Sequence, residues 1–298
     1  LVSRPTIQVG CELADVVESN CAELAVGRRV YGYLPMGETL VIEPGRFDDR
    51  GCSDVAAHRA EMAGAYSRYL FVDTDPAYRP DQEDARMGLW PLFFTSFVVD
   101  DFLGDVEFRG ARQLVLSSAS SKTAIALAFL LSRRPGIDVV GLTSASNAEF
   151  VAGLGCYSST VRYGDEATIA TAPSVFVDFA GNADVRNAVH EHLGADLTYS
   201  MVVGGTHWDH TAATNAAPVG PRPEFFFAPT QIAKRTKEWG QAGLDDRMAV
   251  AWTDFATWTN EWVHHVRPRG AAEVQAAFAA LVRGVIDPSA TIVATMAS

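Results

Sequence analysis

Between Gln113 and Leu131 the sequence passes from a short strand-type run, Gln113 to Leu116, through the small-residue turn Ser117-Ser118-Ala119-Ser120-Ser121, into a helix over Lys122 to Ser132. A buried strand that feeds a helix through a tight polar turn opens a βαβ unit, and it restricts the chain to folds with a parallel sheet. The middle of the chain repeats the alternation. Strands are expected over Asp138 to Leu142, Thr160 to Tyr163, Ser174 to Phe179, Tyr199 to Val203 and Glu224 to Phe227. Helices are expected over Leu92 to Leu103, Asn147 to Leu154 and Asp184 to Leu193. The strands are apolar throughout rather than alternating, as a sheet covered on both faces requires. The expected class is α/β.

The opening third has a different rhythm. Leu13 to Val17, Arg29 to Leu34 and Thr39 to Glu43 read as short strands punctuated by Gly27, Pro35, Gly37, Pro44 and Gly45, the pattern of a small antiparallel barrel. Residues 73–90 read as a surface loop or linker. Beyond Pro229 the chain is helical. Trp252, Phe255, Trp258 and Trp262 recur at helical spacing, which favours core packing or a subunit contact over a ligand face. A helix over Ala271 to Val285 and a strand over Thr291 to Met296 close the chain.

The formal net charge of -12, with no stripe rich in Lys and Arg, argues against nucleic acid as a partner. Cys11, Cys21, Cys52 and Cys156 are scattered and read as free thiols of a reducing compartment. No signal peptide is visible. The most apolar stretch, Leu114 to Leu131, carries Ser-Ser-Ala-Ser-Ser-Lys-Thr in its first half and is too polar for bilayer hydrocarbon. A cytoplasmic protein with a small-molecule ligand and no membrane contact is the expectation.

The chemistry sits at strand ends. The N-terminus of the helix that begins at Lys122 presents unpaired N–H groups and a partial positive charge, which favour a diphosphate. Ser and Ala stand where G-x-G-x-x-G would have glycines, so a plain capped turn is the alternative. A P-loop lacks its glycine frame. The second strand ends on Thr143-Ser144, where a site preferring NAD carries an acid for the ribose hydroxyls. Small hydroxyl residues there leave room for a 2′-phosphate and favour NADP. No Arg or Lys follows at once; Lys234, Arg235 and Lys237 are a distant source of charge, or a solvated helix face. Gly181, Gly204 and Thr206 follow later strands. His207 and His210 form an H-x-x-H beside Asp209 without a third ligand, so no metal is expected. His190 and His192 read as surface or helix-dipole residues. No G-x-S-x-G elbow is present.

The order of these motifs resembles the medium-chain dehydrogenase/reductase superfamily. Gly10 to Glu18 and Leu24 to Gly32 look like its barrel strands. Ser117 to Ala124 falls at its pyrophosphate loop, and Val140 to Ser144, Leu154-Gly155, Val161 to Tyr163 and Val177 to Gly181 follow in order. Ala290 to Val293 resembles its returning strand. Tyr31 to Met36 and Phe225 to Pro229 look like a little-characterised branch. The resemblance implies a Rossmann-type doubly wound parallel sheet over 92–270 and a partial GroES-like β-barrel domain over 1–91 and 271–298, with the sequence beginning inside the barrel. Gly10-Cys11-Glu12 stands where zinc enzymes have G-H-E, so a zinc-independent reductase is implied.

By position, the resemblance places Ser120, Ser121, Lys122 and Thr123 at the diphosphate. It places Thr143, Ser144 and Tyr163 at the adenosine phosphate, and Gly181, Gly204, Thr206 and Phe226 along the ribose and nicotinamide, with Ser118 and Asn147 as further cofactor-binding residues. The implied function is an NADPH-dependent oxidoreductase that transfers hydride to a carbonyl or an activated alkene. Tyr31, Tyr33 and His207 are the candidates for substrate orientation and proton donation. A non-catalytic NADP(H)-binding or redox-sensing protein on the same fold is the alternative. A homodimer is the assembly suggested by analogy.

Overall fold

The computed structural model describes residues 2–3, 10–34, 39–62, 64–203 and 219–295. The chain divides into two units, Leu1–Pro91 with Trp252–Ser298, and Leu92–Ala251.

The first unit holds a seven-stranded antiparallel sheet. Its strands are β1 (Val2–Ser3), β2 (Gly10–Val16), β3 (Arg29–Leu34), β4 (Thr39–Leu40), β5 (Pro44–Asp48), β6 (Gly51–Asp54) and β7 (Arg68–Phe71), in the spatial order β4-β1-β2-β3-β7-β6-β5. Side chains two apart share a face of a strand. Ala14 and Val16, Val30 and Leu34, and Tyr69 and Phe71 accordingly meet in one core with Leu24 and Cys52. Gly32 lies between Val30 and Leu34 on that face. A Cβ there would stand 2.5 Å from the Tyr69 ring, so this glycine is set by packing. Strand pairing past Leu40 departs from expectation. Val41 is exposed, and the Asp54 carboxylate accepts the Glu43 N–H at 3.0 Å, replacing a ladder bond.

The expected loop over residues 73–90 is helical in its second half, since α1 covers Glu83–Asp105. Glu83 and Asp84 occupy its first turn, where carboxylates complement the exposed N–H groups, and Met87, Leu89 and Trp90 are buried. Pro91 interrupts the hydrogen-bond ladder without ending the helix.

The second unit is a six-stranded, wholly parallel sheet. In chain order it comprises β8 (Gln113–Leu116), α2 (Lys122–Leu131), β9 (Asp138–Thr143), α3 (Ala148–Gly153), β10 (Ser159–Arg162), β11 (Ser174–Asp178), α4 (Ala183–Leu193), β12 (Leu197–Val202) and β13 (Glu224–Phe225). The spatial order is β10-β9-β8-β11-β12-β13. Numbered within the unit this is 3-2-1-4-5-6, the doubly wound order whose direction reverses between the first and fourth strands. On one face Val115, Val140, Leu142, Val161 and Phe176 pack with Val185, Val189 and Leu193 of α4. Helix α2 is buried from Ala124 to Leu131, which explains why its sequence is apolar all round.

Helix α5 (Ala228–Thr259) bends at Gly240, whose φ is +72°. It straddles the division at Ala251, so residues 252–270, expected with the parallel sheet, group with the first unit. Trp252 and Phe255 of the aromatic stripe are core: Trp252 packs edge-on against Trp90, and Phe255 and the half-buried Trp258 and Trp262 continue the contact in sequence. The last elements are β14 (His264–Val266), α6 (Gly270–Val282) and β15 (Ala290–Ile292); β14 and β15 pair in parallel. No helix among the described residues is long and apolar enough to cross a membrane.

Candidate functional site

The carboxyl ends of β8 and β11 flank the point where the strand order reverses, and there the ligand crevice of such a sheet opens. The residues that follow each strand are tied together. The Ser117 hydroxyl donates to Asp178 Oδ1 at 2.8 Å and accepts the Phe179 and Ala180 N–H groups at 2.9 and 3.1 Å. Asp178 Oδ1 also accepts the Ala180 and Gly181 N–H groups, each at 3.0 Å. Asp178 Oδ2 accepts from Arg186 Nη1 at 3.0 Å. Ser117 and Asp178 are buried, so this charge is acceptable only because both its oxygens are hydrogen-bonded and Arg186 balances it. Gly181 turns away with φ +68°. Neither Ser117 nor Asp178 is among the residues expected from sequence; the signal was an acid closing the apolar run Ser174-Val-Phe-Val-Asp178, which a buried strand end accepts only with a partner.

The turn before α2 is narrow. Ser118 has φ +52°, unusual for a residue with a side chain. Its N–H donates to the Tyr163 hydroxyl at 2.8 Å. The Ala119 N–H donates to Leu142 O at 2.9 Å, and the Tyr157 hydroxyl donates to Ala119 O at 2.8 Å. Ser121 caps α2 by accepting the Ala124 N–H at 3.3 Å. The capped turn weighed from sequence is therefore present. The Ser121 N–H itself donates to Ser118 O at 2.8 Å, so this bond and the cap account for two of the four donors of the helix start. A Cβ at Gly141 would stand 2.9 Å from the Tyr157 ring and 3.0 Å from Ala119 Cβ, so Gly141 allows the turn to lie on the sheet.

The end of β9 joins the same cluster. Asn147 Nδ2 donates to the Ser120 hydroxyl at 3.0 Å, and the Ser144 and Ser146 hydroxyls are 2.9 Å apart. Thr143 is buried, and its carbonyl accepts the Tyr163 N–H at 2.8 Å. Burial raises the Tyr163 phenol above its ordinary range, so it keeps its proton at neutral pH. That phenol accepts the Ser118 N–H, and the Ser118 side chain is a second hydrogen-bond partner.

Ser118, Ser120, Ser121, Lys122, Thr123, Thr143, Ser144, Asn147, Tyr163 and Gly181 thus stand at or beyond the carboxyl ends of β8, β9, β10 and β11. Gly204, Thr206, His207, Asp209 and His210 lie outside the described residues. Phe226 is buried, with its ring 5.4 Å from that of Phe102. Tyr31 and Tyr33 belong to the first unit. Tyr31 is buried, with the Arg86 guanidinium 5.0 Å from its ring centroid, and half-buried Tyr33 packs edge-on against Tyr66. Lys234 and Arg235 face the acids of α1: Lys234 pairs with Asp105, and Arg235 with Asp101 at 2.7 Å and Asp105 at 3.1 Å.

His190 departs from the expected surface role. It is fully buried, with Nδ1 2.8 Å from Val219 O and Nε2 2.9 Å from the Ser200 hydroxyl. A carbonyl only accepts, so Nδ1 carries the proton and Nε2 accepts from Ser200. Burial holds this imidazole below the ordinary histidine range; the bond to the Val219 carbonyl opposes it, the nearby Arg186 charge lowers it further, and Asp178 opposes it in turn. The unfolded chain therefore binds the extra proton more readily. Stability is complete above the unfolded value of about 6.5 and is lost as pH falls from there toward the folded value. Melting temperature is expected to decline from pH 7 to pH 5, with a shallower decline in His190→Gln. An equal slope in both would refute the assignment. His265, also lowered by burial, supplies the slope that remains.

A family model described as "Protein of unknown function (DUF2855)" matches residues 13–287. No curated protein matches the sequence. Among solved structures the chain is similar to CurA from Vibrio vulnificus, solved in complex with NADPH, at 14% identity and a TM-score of 0.61, over 97% of this chain and 80% of that one. It is similar to the YhdH oxidoreductase from Salmonella enterica in complex with NADP, at 13% identity and a TM-score of 0.52, over 96% and 80% of the two chains. It is also similar to the quinone oxidoreductase from Coxiella burnetii, at 14% identity and a TM-score of 0.52, over 96% and 78%. At these identities the likeness is one of fold: a Rossmann-type parallel sheet and an antiparallel sheet of the GroES-like kind, as in the medium-chain dehydrogenase/reductases.

Proposed function

The chain belongs to the DUF2855 family, and from the crevice at its β8/β11 reversal we propose that it is an NADPH-dependent oxidoreductase, transferring hydride to a carbonyl or an activated alkene. The observation that carries this reading is the convergence of a helix start, a Ser-lined turn and the Tyr163 hydroxyl at the carboxyl end of β9, where Thr143-Ser144 supplies no acid. A diphosphate fits the α2 donors with Ser120, Lys122 and Thr123. A ribose phosphate fits Ser144, Asn147 and Tyr163, whose groups donate hydrogen bonds and bring no negative charge. NADPH bound there supplies the hydride; the chain's part is to bind, orient and exclude water. Tyr33, half-buried where Tyr31 is buried, and His207 stand as the proton-donor candidates.

Melting temperatures measured with NADPH, NADH and ATP in parallel test the proposal. A ligand at 100 times its Kd stabilises the folded state by about 2.7 kcal/mol, so NADPH is expected to raise the melting temperature most. Consumption of NADPH with a panel of quinones, enones and aldehydes is expected to follow. No shift with either nicotinamide nucleotide would overturn the proposal. The burial of Tyr31 favours a second reading, a non-catalytic NADP(H)-binding protein, which predicts the same shift without turnover on any member of the panel.

A further inference from the structure

Resting on the NADP(H) reading, we propose that Arg162, at the end of β10, recognises the phosphate on the adenosine ribose and sets the preference for NADP(H) over NAD(H).

In a dinucleotide-binding sheet the strand after the first helix ends beside that ribose, and a nearby arginine accommodates the 2′-phosphate where the acid is missing. Here that strand is β9, and Thr143-Ser144 supplies neither an acid nor a cation. The neighbouring strand supplies the cation. In the β9–β10 ladder Arg162 is the direct partner of Thr143, so their Cα atoms are strand neighbours, about 4.8 Å apart, with side chains on the same face. Next along the chain is Tyr163, whose hydroxyl reaches the turn before α2 from the opposite face. A ligand beyond the strand ends is thereby approached from both sides, by a guanidinium and by a phenol that keeps its proton.

The guanidinium is available. Its partner is Asp165, three residues on, with Nε and Oδ2 3.0 Å apart, and the two side chains are 60% and 45% exposed. An ion pair so exposed holds its partners weakly, whereas a phosphate offers an arginine two parallel charge-assisted bonds. Four other cations of this unit are committed elsewhere: Arg186 to Asp178, Arg134 to Asp100, and Lys234 and Arg235 to the acids of α1.

Equilibrium binding of NADPH, NADH and 2′,5′-ADP to the wild type, Arg162→Gln, Arg162→Lys and Asp165→Asn tests this. Arg162→Gln is expected to weaken NADPH and 2′,5′-ADP about 10- to 100-fold, the loss of a hydrogen-bonded charge, while changing NADH less than about 2-fold. Arg162→Lys falls between, keeping the charge and losing the fork. Asp165→Asn binds NADPH as well as the wild type or better. Unliganded melting temperatures stay at the wild-type value, since a surface pair contributes little. Equal weakening of NADPH and NADH, or unchanged NADPH affinity in Arg162→Gln, would overturn the role of Arg162 and leave the oxidoreductase reading standing. A wild type that binds neither nucleotide would overturn both.

Discussion

Asp178→Asn is expected to destabilise the fold by about 3 kcal/mol, the scale of a buried ion pair broken from one side. An asparagine keeps the shape, and its oxygen still accepts from Ser117, Ala180 and Gly181. Its amide nitrogen then faces Arg186 Nη1, donor against donor, where the carboxylate had accepted at 3.0 Å. The arginine side chain is only 17% exposed, so water replaces little of what is lost. Chemical denaturation measures the loss, and Arg186→Met in the Asp178→Asn background is expected to recover part of it. Because the same carboxylate fixes the residues after both β8 and β11, NADPH affinity is expected to fall at least 10-fold, about 1.4 kcal/mol, even in the folded fraction. A loss below about 1 kcal/mol with unchanged affinity would show that the network does not hold the crevice.

Gly141→Val acts from beneath the same turn. The added atoms begin 2.9 Å from the Tyr157 ring and 3.0 Å from Ala119 Cβ, closer than real contacts allow. Tyr157 is anchored by its bond to Ala119 O, so ring and turn shift together. Overpacking of this kind is expected to destabilise by about 2–3 kcal/mol and to move the α2 donors off a diphosphate. Gly153→Ala is the control: nothing lies within 4 Å of a Cβ there, and the residue ends α3. That change is expected to be neutral or to stabilise by up to about 1 kcal/mol. If Gly141→Val denatured and bound NADPH like the wild type, the turn would not be seated on the sheet as described.

The elements of the second unit were legible because their signals are local. Gln113–Leu116 and the helix start at Lys122 follow from an apolar run, a Ser-rich turn and an N-cap, all within a few residues. The acid-rich approach to α1 was misread as a loop for a related reason. Asp and Glu serve loops and first helical turns alike, and only the burial of Met87, Leu89 and Trp90 separates the two. His190 was misread because amphipathic position does not say which carbonyl will cover a ring. Core packing, one of the two roles expected of the aromatic stripe, holds for Trp252 and Phe255, since three- and four-residue spacing brings those rings onto one helix face.

By itself, then, the order of strands and helices determined a parallel sheet, a separate antiparallel sheet, and the Ser-rich turn that opens α2. Those properties depend on residues near one another in the chain. Tertiary structure decided which strand ends meet. Ser117 finds Asp178 across 61 residues, Ser118 finds Tyr163 across 45, and Thr143 stands beside Arg162. These pairings follow from the spatial order of the strands, which buries both sheet faces at once. No local pattern encodes that order, because each strand's apolar run would suit any central place in the sheet.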